Sequence, residues 1–339
     1  MIRLVVELTD RCNLRCAHCF DDRHAGTGDL PDVVLQRLLG EASACGVTHL
    51  SFTGGEPTLH RRFREIVRDT VESGLTFSFV SNGSTFPRLY SWLAGHGKAF
   101  LGVTFSLDGA RERTHDRLRG PGSFRSVMRA ASICVARRLP FTLNMVLTKR
   151  NRHEIEAMIE LAARLGSGGV RFGHLMPRSP GADDLELSLD ERLAAEQEIW
   201  DRRSRATVPV GMAPGYHADS PFFPCGPLEL EEFNVDYRGN VTLCCHLSGN
   251  GEHLGGRDRA GNLAHAPLRE CLERLETMVA EYRAAKRRRF ERGALEPRDY
   301  SPCLYCVRYF EETAPLQVVR PMVVASAGED QESACHKAR

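Results

Sequence analysis

No apolar run in these 339 residues approaches the length that crosses a bilayer. Residue 2 already opens an apolar, strand-like stretch, which leaves no space for a secretory signal peptide. A cytoplasmic location is the expectation. Excess charge is missing too: 45 basic against 44 acidic residues leave +1, so electrostatics name no nucleic acid or membrane surface as partner. The one basic run, Lys286-Arg287-Arg288-Arg289, lacks interleaved aromatics and reads as a solvated helix face rather than an RNA contact. What the chain does have is cysteine, 12 in all. In a short secreted protein these would be disulfides; in a chain of this length their clustering points to metal chemistry.

Three of them stand in Cys12-Asn13-Leu14-Arg15-Cys16-Ala17-His18-Cys19, directly after the apolar Leu4, Val5, Val6 and Leu8. One loop at a strand's end can therefore bring three thiolates together. Four thiolates close an iron–sulfur cube, whereas three leave one iron open to bind something else. A zinc site borrowing His18 or His24, or buried free thiols, is the plainer alternative. The run resembles the signature of radical S-adenosylmethionine (SAM) enzymes, whose open iron is chelated by the amino and carboxylate groups of SAM. Such clusters are oxygen-sensitive, which implies low-oxygen conditions.

Up to about residue 175 strands and helices alternate. Strands are expected at Leu4–Leu8, His49–Thr53, Thr76–Ser81, Leu101–Leu107, Phe141–Leu147 and Val170–His174, each apolar or β-branched enough for burial on both faces. Helices are expected from Pro31 to Gly46, from Arg61 to Gly74, from an N-cap at Ser123, and from Arg152 to Gly166. This alternation makes a parallel sheet. A full eight-unit barrel takes roughly 250 residues, so this stretch holds about six units. The fold expected is α/β, a partial (β/α)6 TIM-like barrel, the architecture the resemblance also implies.

Gly54-Gly55-Glu56-Pro57 follows the second strand. Paired glycines permit close backbone approach and Glu56 supplies a carboxylate; alone, the segment could be an ordinary turn. It resembles the GGEP motif of the same family, which holds SAM's amino group. Ser81-Asn82-Gly83, Ser106-Leu107-Asp108-Gly109 and Asn144 sit at or near the ends of later strands. These are also common turn signals. By resemblance, Asn82 belongs to the cofactor site, Ser106 and Asp108 meet SAM's ribose or carboxylate, and Asn144 contacts a polar group of the nucleoside or methionine. His18 stands where the family has an aromatic, so its ring is expected to pack on adenine.

Beyond residue 176 the composition changes. Pro177, Pro180 and Gly181 form a linker, and Ser188-Leu189-Asp190-Glu191 is a capping box opening a helix through Trp200. Phe233–Asp236 and Val241–Cys244 pattern as a hairpin turning at Arg238-Gly239-Asn240. Cys225, Gly239 and Cys244, followed by the Cys303-Leu304-Tyr305-Cys306 pair, resemble the start of a SPASM extension. A full SPASM domain would continue with more cysteines, but Glu312 stands at the next expected position and no cysteine follows until Cys335. The resemblance is therefore to the shortened Twitch form, with Cys225, Cys244, Cys303 and Cys306 holding one auxiliary 4Fe–4S cluster. Four cysteines also suit structural zinc, and Cys245 is the alternative ligand. Cys45, Cys134 and Cys271 lie on helical patterns and read as buried thiols. The divisions expected are a barrel over 1–180, a linker helix and loop over 181–224, a Twitch-like domain over 225–315 and a mobile tail over 316–339.

By resemblance, the cofactors are SAM, a 4Fe–4S cluster with an open iron and the auxiliary 4Fe–4S cluster. An electron donor such as flavodoxin or ferredoxin is implied. The family's chemistry is reductive cleavage of SAM to a 5′-deoxyadenosyl radical that takes hydrogen from substrate carbon. A ribosomally made peptide, modified by oxidation or crosslinking, is the substrate expected. No extension precedes the first strand to house a leader-recognition domain, so a separate leader-peptide-binding protein would supply one. A dehydrogenase or other modifier of a small metabolite such as an aminocyclitol is the alternative. A non-enzymatic iron–sulfur or zinc scaffold binding RNA is the third reading, and the pairing of cysteine and glycine motifs argues against it.

Overall fold

The computed structural model describes residues 2–19, 28–176, 184–223, 225–248 and 254–313. His24, the Pro177-to-Gly181 linker, Cys335 and the tail lie outside the described residues. One ten-stranded sheet organises the chain. Its strands are β1 (Ile2–Thr9), β2 (Val47–Gly54), β3 (Thr76–Ser81), β4 (Phe100–Ser106), β5 (Phe141–Leu147), β6 (Val170–His174), β7 (Val210–Met212), β8 (Glu232–Val235), β9 (Asn240–Thr242) and β10 (Arg259–Asn262). The helices are α1 (Asp32–Ala42), α2 (Phe63–Glu72), α3 (Tyr90–Leu93), α4 (Glu112–Arg119), α5 (Ser123–Arg137), α6 (Ile155–Arg164), α7 (Leu189–Arg203), α8 (Cys245–Ser248), α9 (Leu268–Glu291) and α10 (Pro302–Glu312).

From β1 to β7 every neighbouring pair is parallel, as helical crossovers require. The six expected strands all form, and β7 adds a seventh at one edge. On the other side of β1 the order continues β8, β9, β10. There β8 pairs parallel to β1, with Arg3 opposite Glu232 and Val6 opposite Val235, and the expected hairpin joins β8 to β9 with Gly239 at φ +86°. The change of composition after residue 176 is thus no break in the sheet.

Burial on both faces does not hold. In β3, Phe77 and Phe79 are buried while Thr76 and Ser78 are only partly covered; in β5, Phe141, Leu143 and Met145 alternate with Thr142 and Asn144 in the same way. The apolar set packs beneath the helices, and the polar set faces a wide interior that a partial barrel leaves unfilled. Ser123 is likewise not the N-cap of α5 but its first residue; Gly122 caps it. The carboxylate of Asp116 does the satisfying, accepting from the backbone N–H of Gly122 (2.7 Å) and of Phe124 (2.8 Å). The capping box at Ser188 and Glu191 forms as expected, and α7 runs on to Arg203.

Candidate active site

The end of β2 is pressed against the cysteine loop by backbone alone. Gly55 N–H donates to Thr9 O (2.7 Å) and Glu56 N–H to Arg11 O (2.8 Å). A Cβ on Gly54, whose φ is +118°, would lie 2.4 Å from Thr9 O, and one on Gly55 would lie 2.3 Å from Arg11 O. Only paired glycines allow this contact. Glu56 is buried, with Oε1 accepting from the Thr58 hydroxyl (2.6 Å) and the Ser81 hydroxyl (3.0 Å) and Oε2 from Asn82 N–H (2.8 Å). Burial pushes its pKa up from the usual glutamate value, against these donors. Asn82 in turn donates to Asn13 Oδ1 (2.9 Å) in the cysteine loop and approaches Cys12 Sγ at 4.0 Å.

Cys12, Cys16, Cys19, His18, Gly54, Gly55, Glu56, Asn82 and Asn144 all line one cavity of about 1510 Å³. Pro57, Ser106 and Asp108 do not. Pro57 is buried as the first residue of a 3-10 turn, Pro57–Leu59. Asp108, expected at SAM itself, is fully buried; it accepts from Val146 N–H (2.8 Å), His18 Nε2 (2.9 Å) and Arg119 Nε. Burial alone would raise its pKa, but Arg119 and His18 hold it well below the carboxylate range. Its carboxylate anchors the ring of His18 and the guanidinium of Arg119.

Arg119 is the site residue that sequence reasoning missed. It closes α4, lines the cavity, and brings Nη1 to 4.0 Å from Cys16 Sγ. Burial works against its charge, yet Asp108 and then Cys16 hold its pKa above the ordinary arginine value. Burial raises the Cys16 thiol pKa, and Arg119 is the strongest opposing influence. His115, also on α4, accepts Asp108 N–H at Nδ1 (3.0 Å), and burial lowers its pKa to about 4.

The other expected thiols gather as well. Cys225, Cys244, Cys303 and Cys306 line one small apolar pocket with Leu228, Leu243, Leu247 and Met176, whereas Cys245 faces the large cavity instead. Pro302 starts α10, so Cys303 and Cys306 share one face of its opening turns. Gly215, at φ +116°, clears space for Cys303: a Cβ there would sit 2.7 Å from its Sγ. Burial followed by the neighbouring thiols raises the pKa of Cys225 and Cys303, and burial pushes Cys306 up to about 12. Cys244 moves the other way, lowered chiefly by a hydrogen bond from Cys245. Among the described residues no three His, Cys, Asp or Glu side chains converge as around a single ion. In both places the cysteines line a cavity. Thiols crowded in an apolar pocket cannot all ionise unaided, and bound iron, which deprotonates its ligands, suits that donor set. Cys134 and Cys271 are the buried thiols expected of them, raised by burial to about 12 and about 11, whereas Cys45 is only partly buried.

An open parallel barrel with a three-cysteine loop and a glycine pair at its strand ends defines an enzyme class that works with an open iron–sulfur cluster and SAM. The model of the Radical SAM superfamily matches residues 6–162. A PqqA peptide cyclase of Methylobacterium sp. (strain 4-46) is 31% identical over 271 residues, covering 73% of this chain and 67% of that protein. An AdoMet-dependent heme synthase of Methanosarcina barkeri is 33% identical over 189 residues, covering 54% and 53%. In fold, the chain resembles Streptococcus suis SuiB bound to precursor peptide SuiA, with TM-score 0.65, 15% identity and coverage of 79% of this chain and 63% of that one. It also resembles anSMEcpe with bound AdoMet, with TM-score 0.63, 18% identity and 83% coverage of each. The chain belongs to the radical SAM superfamily and is an enzyme. It spans about half the length of the heme synthase, 53%, and 63% of SuiB.

Proposed function

We propose that this enzyme removes hydrogen from carbon of a ribosomally made peptide, giving an oxidised or crosslinked product. The observation that carries the reading is one continuous cavity with Cys12, Cys16 and Cys19 on one part of its wall and Cys225, Cys244 and Cys303 on another. Its volume of about 1510 Å³ is space that SAM and the clusters would share with a substrate. When bound, a reduced 4Fe–4S cluster on the first set with SAM supplies a 5′-deoxyadenosyl radical, and a second cluster on Cys225, Cys244, Cys303 and Cys306 an electron acceptor. The chain's own residues orient and enclose. Glu56, Asn82 and Asn144 offer acceptors and donors to SAM's polar groups, Arg119 offers a cation beside the cysteine loop, and the walls exclude water and oxygen. A flavodoxin or ferredoxin would deliver the electron, and a separate protein would present the peptide leader, in the cytoplasm. Among the described residues no helix is long and apolar enough to cross a membrane.

A small polyol such as an aminocyclitol is the second reading, favoured by the hydroxyl-rich wall of Ser51, Thr76, Ser78, Thr104 and Thr142. The two separate in one experiment. A short peptide encoded beside this gene and an aminocyclitol are each supplied deuterated on carbon to the reduced, iron-loaded enzyme with SAM. Deuterium in 5′-deoxyadenosine identifies the substrate. S-adenosylhomocysteine as the main product would overturn hydrogen abstraction.

A further inference from the structure

Lys286 opens the basic run that the sequence places on a solvated face, but it is only 4% exposed. Its ammonium lies 4.5 Å from the ring centre of Tyr305, and among the described residues it makes no ion pair. A buried cation without a carboxylate partner is costly unless some other negative charge faces it. One turn earlier on the same face of α9, the Tyr282 hydroxyl stands 3.5 Å from Cys306 Sγ. The geometry points to Tyr282 and Lys286 as positioning residues that raise the reduction potential of the group held by Cys225, Cys244, Cys303 and Cys306, an inference that rests on the auxiliary-cluster reading above.

A thiolate-ligated 4Fe–4S cluster is an anion in both redox states and gains one more negative charge on reduction. A hydrogen bond to a ligand sulfur and a fixed nearby cation both favour the reduced form. Toward a thiolate the phenol is the donor. A phenol is protonated at neutral pH and the Tyr282 hydroxyl is within reach of Cys306 Sγ, so it has a proton to give. Burial lowers the Lys286 pKa, and Cys306 followed by Asp299 opposes it. The rings of Tyr282 and Tyr305, edge to face at 5.4 Å, keep water from weakening either effect. The other buried cation nearby, Arg192, acts on Cys303 but is spent on Leu175 O (2.8 Å) and Glu186 (2.9 Å). Glu232 opposes from the side of Cys225 and Cys244. Lys286 is therefore the buried cation nearest in effect to Cys306, with the Asp299 carboxylate acting against part of its charge.

The test is a redox titration, followed by electron paramagnetic resonance, of the full chain carrying Cys12, Cys16 and Cys19 replaced by Ala, loaded with iron and sulfide. In that background Tyr282→Phe and Lys286→Met should each lower the reduction equilibrium constant about tenfold, 59 mV for one electron. Lys286→Arg, which keeps the charge, should stay near the parent. Iron content is measured first. Absence of iron from the parent would refute the auxiliary cluster itself, whereas bound iron with unchanged potentials in the Phe and Met variants overturns the tuning role. Tyr282→Phe deletes one oxygen from a packed ring, so its result does not depend on refolding. Loss of iron from Lys286→Met would mark a structural anchor and overturn the role of Lys286.

Discussion

Arg119 and Asp108 are bonded to each other behind the cysteine loop, the carboxylate fully buried and the guanidinium reaching Cys16 Sγ at 4.0 Å. Arg119→Met should cost at most about 3–5 kcal/mol, because the buried carboxylate loses its guanidinium but keeps His18 Nε2 and Val146 N–H. The double variant Arg119→Met with Asp108→Leu should cost less than the single one. Urea unfolding under anaerobic conditions measures both, and a double variant as weak as the sum of the singles would show that the two residues are not coupled.

Stability should fall in acid through two windows. Burial lowers the pKa of His115 and His49 to about 4 from 6.5, so between those values the unfolded chain takes up protons that the folded chain refuses. Stability drops as the pH is lowered through that range. Asp108, held low by Arg119, contributes stability that is complete above its ordinary value of 3.8 and is lost below it. His49→Gln should remove its share of the upper window while leaving that of His115 and the lower window, as read from unfolding free energies between pH 7 and 3.

Gly55→Ala places a methyl group 2.3 Å from Arg11 O. The backbone must give, at roughly 1–3 kcal/mol. Since Arg11 precedes Cys12, the displacement falls on the cysteine loop, and cleavage of SAM should fall at least about tenfold. Product counting by mass spectrometry decides it; wild-type rates would mean the loop tolerates the shift.

Reduced enzyme should release 5′-deoxyadenosine slowly from SAM even without substrate, and Cys16→Ala should abolish it. If the C-terminal thiols hold a second cube, iron content should be about eight for the wild type and about four for the chain with Cys12, Cys16 and Cys19 replaced by Ala. Zinc retained there in place of iron would replace the cluster with a structural ion.

The strands were legible because Leu4, Val6, Leu8, Phe77, Phe79, Leu143 and Met145 form apolar runs bounded by turn residues. The interior face was not, since whether Thr76 or Thr142 meets another strand, a side chain or a cavity depends on how far the barrel closes. The strands β7 and β10, of three and four residues, carry too little pattern to announce themselves. The cysteines and Gly54-Gly55 were readable because their chemistry is local in sequence. The bonds of Asp108 were not legible, since its partners His18, Arg119 and Val146 come from three distant segments. Lys286 could have been placed: Leu268, Cys271, Leu275, Met278, Tyr282 and Lys286 fall at three- and four-residue steps along one buried face of α9.

The strand β1 is held on both sides, by β2 and by β8. Its far end releases the loop that carries Cys12, while the strand beside it leads within ten residues to Cys244. The spacing between Cys12 and Cys244 is therefore gauged by a hydrogen-bonded ladder. A one-residue slip between β1 and β8 would move Cys244 relative to the loop of Cys12 by a full strand step, whereas Cys225, which precedes β8, answers to the segment between β7 and β8 as well.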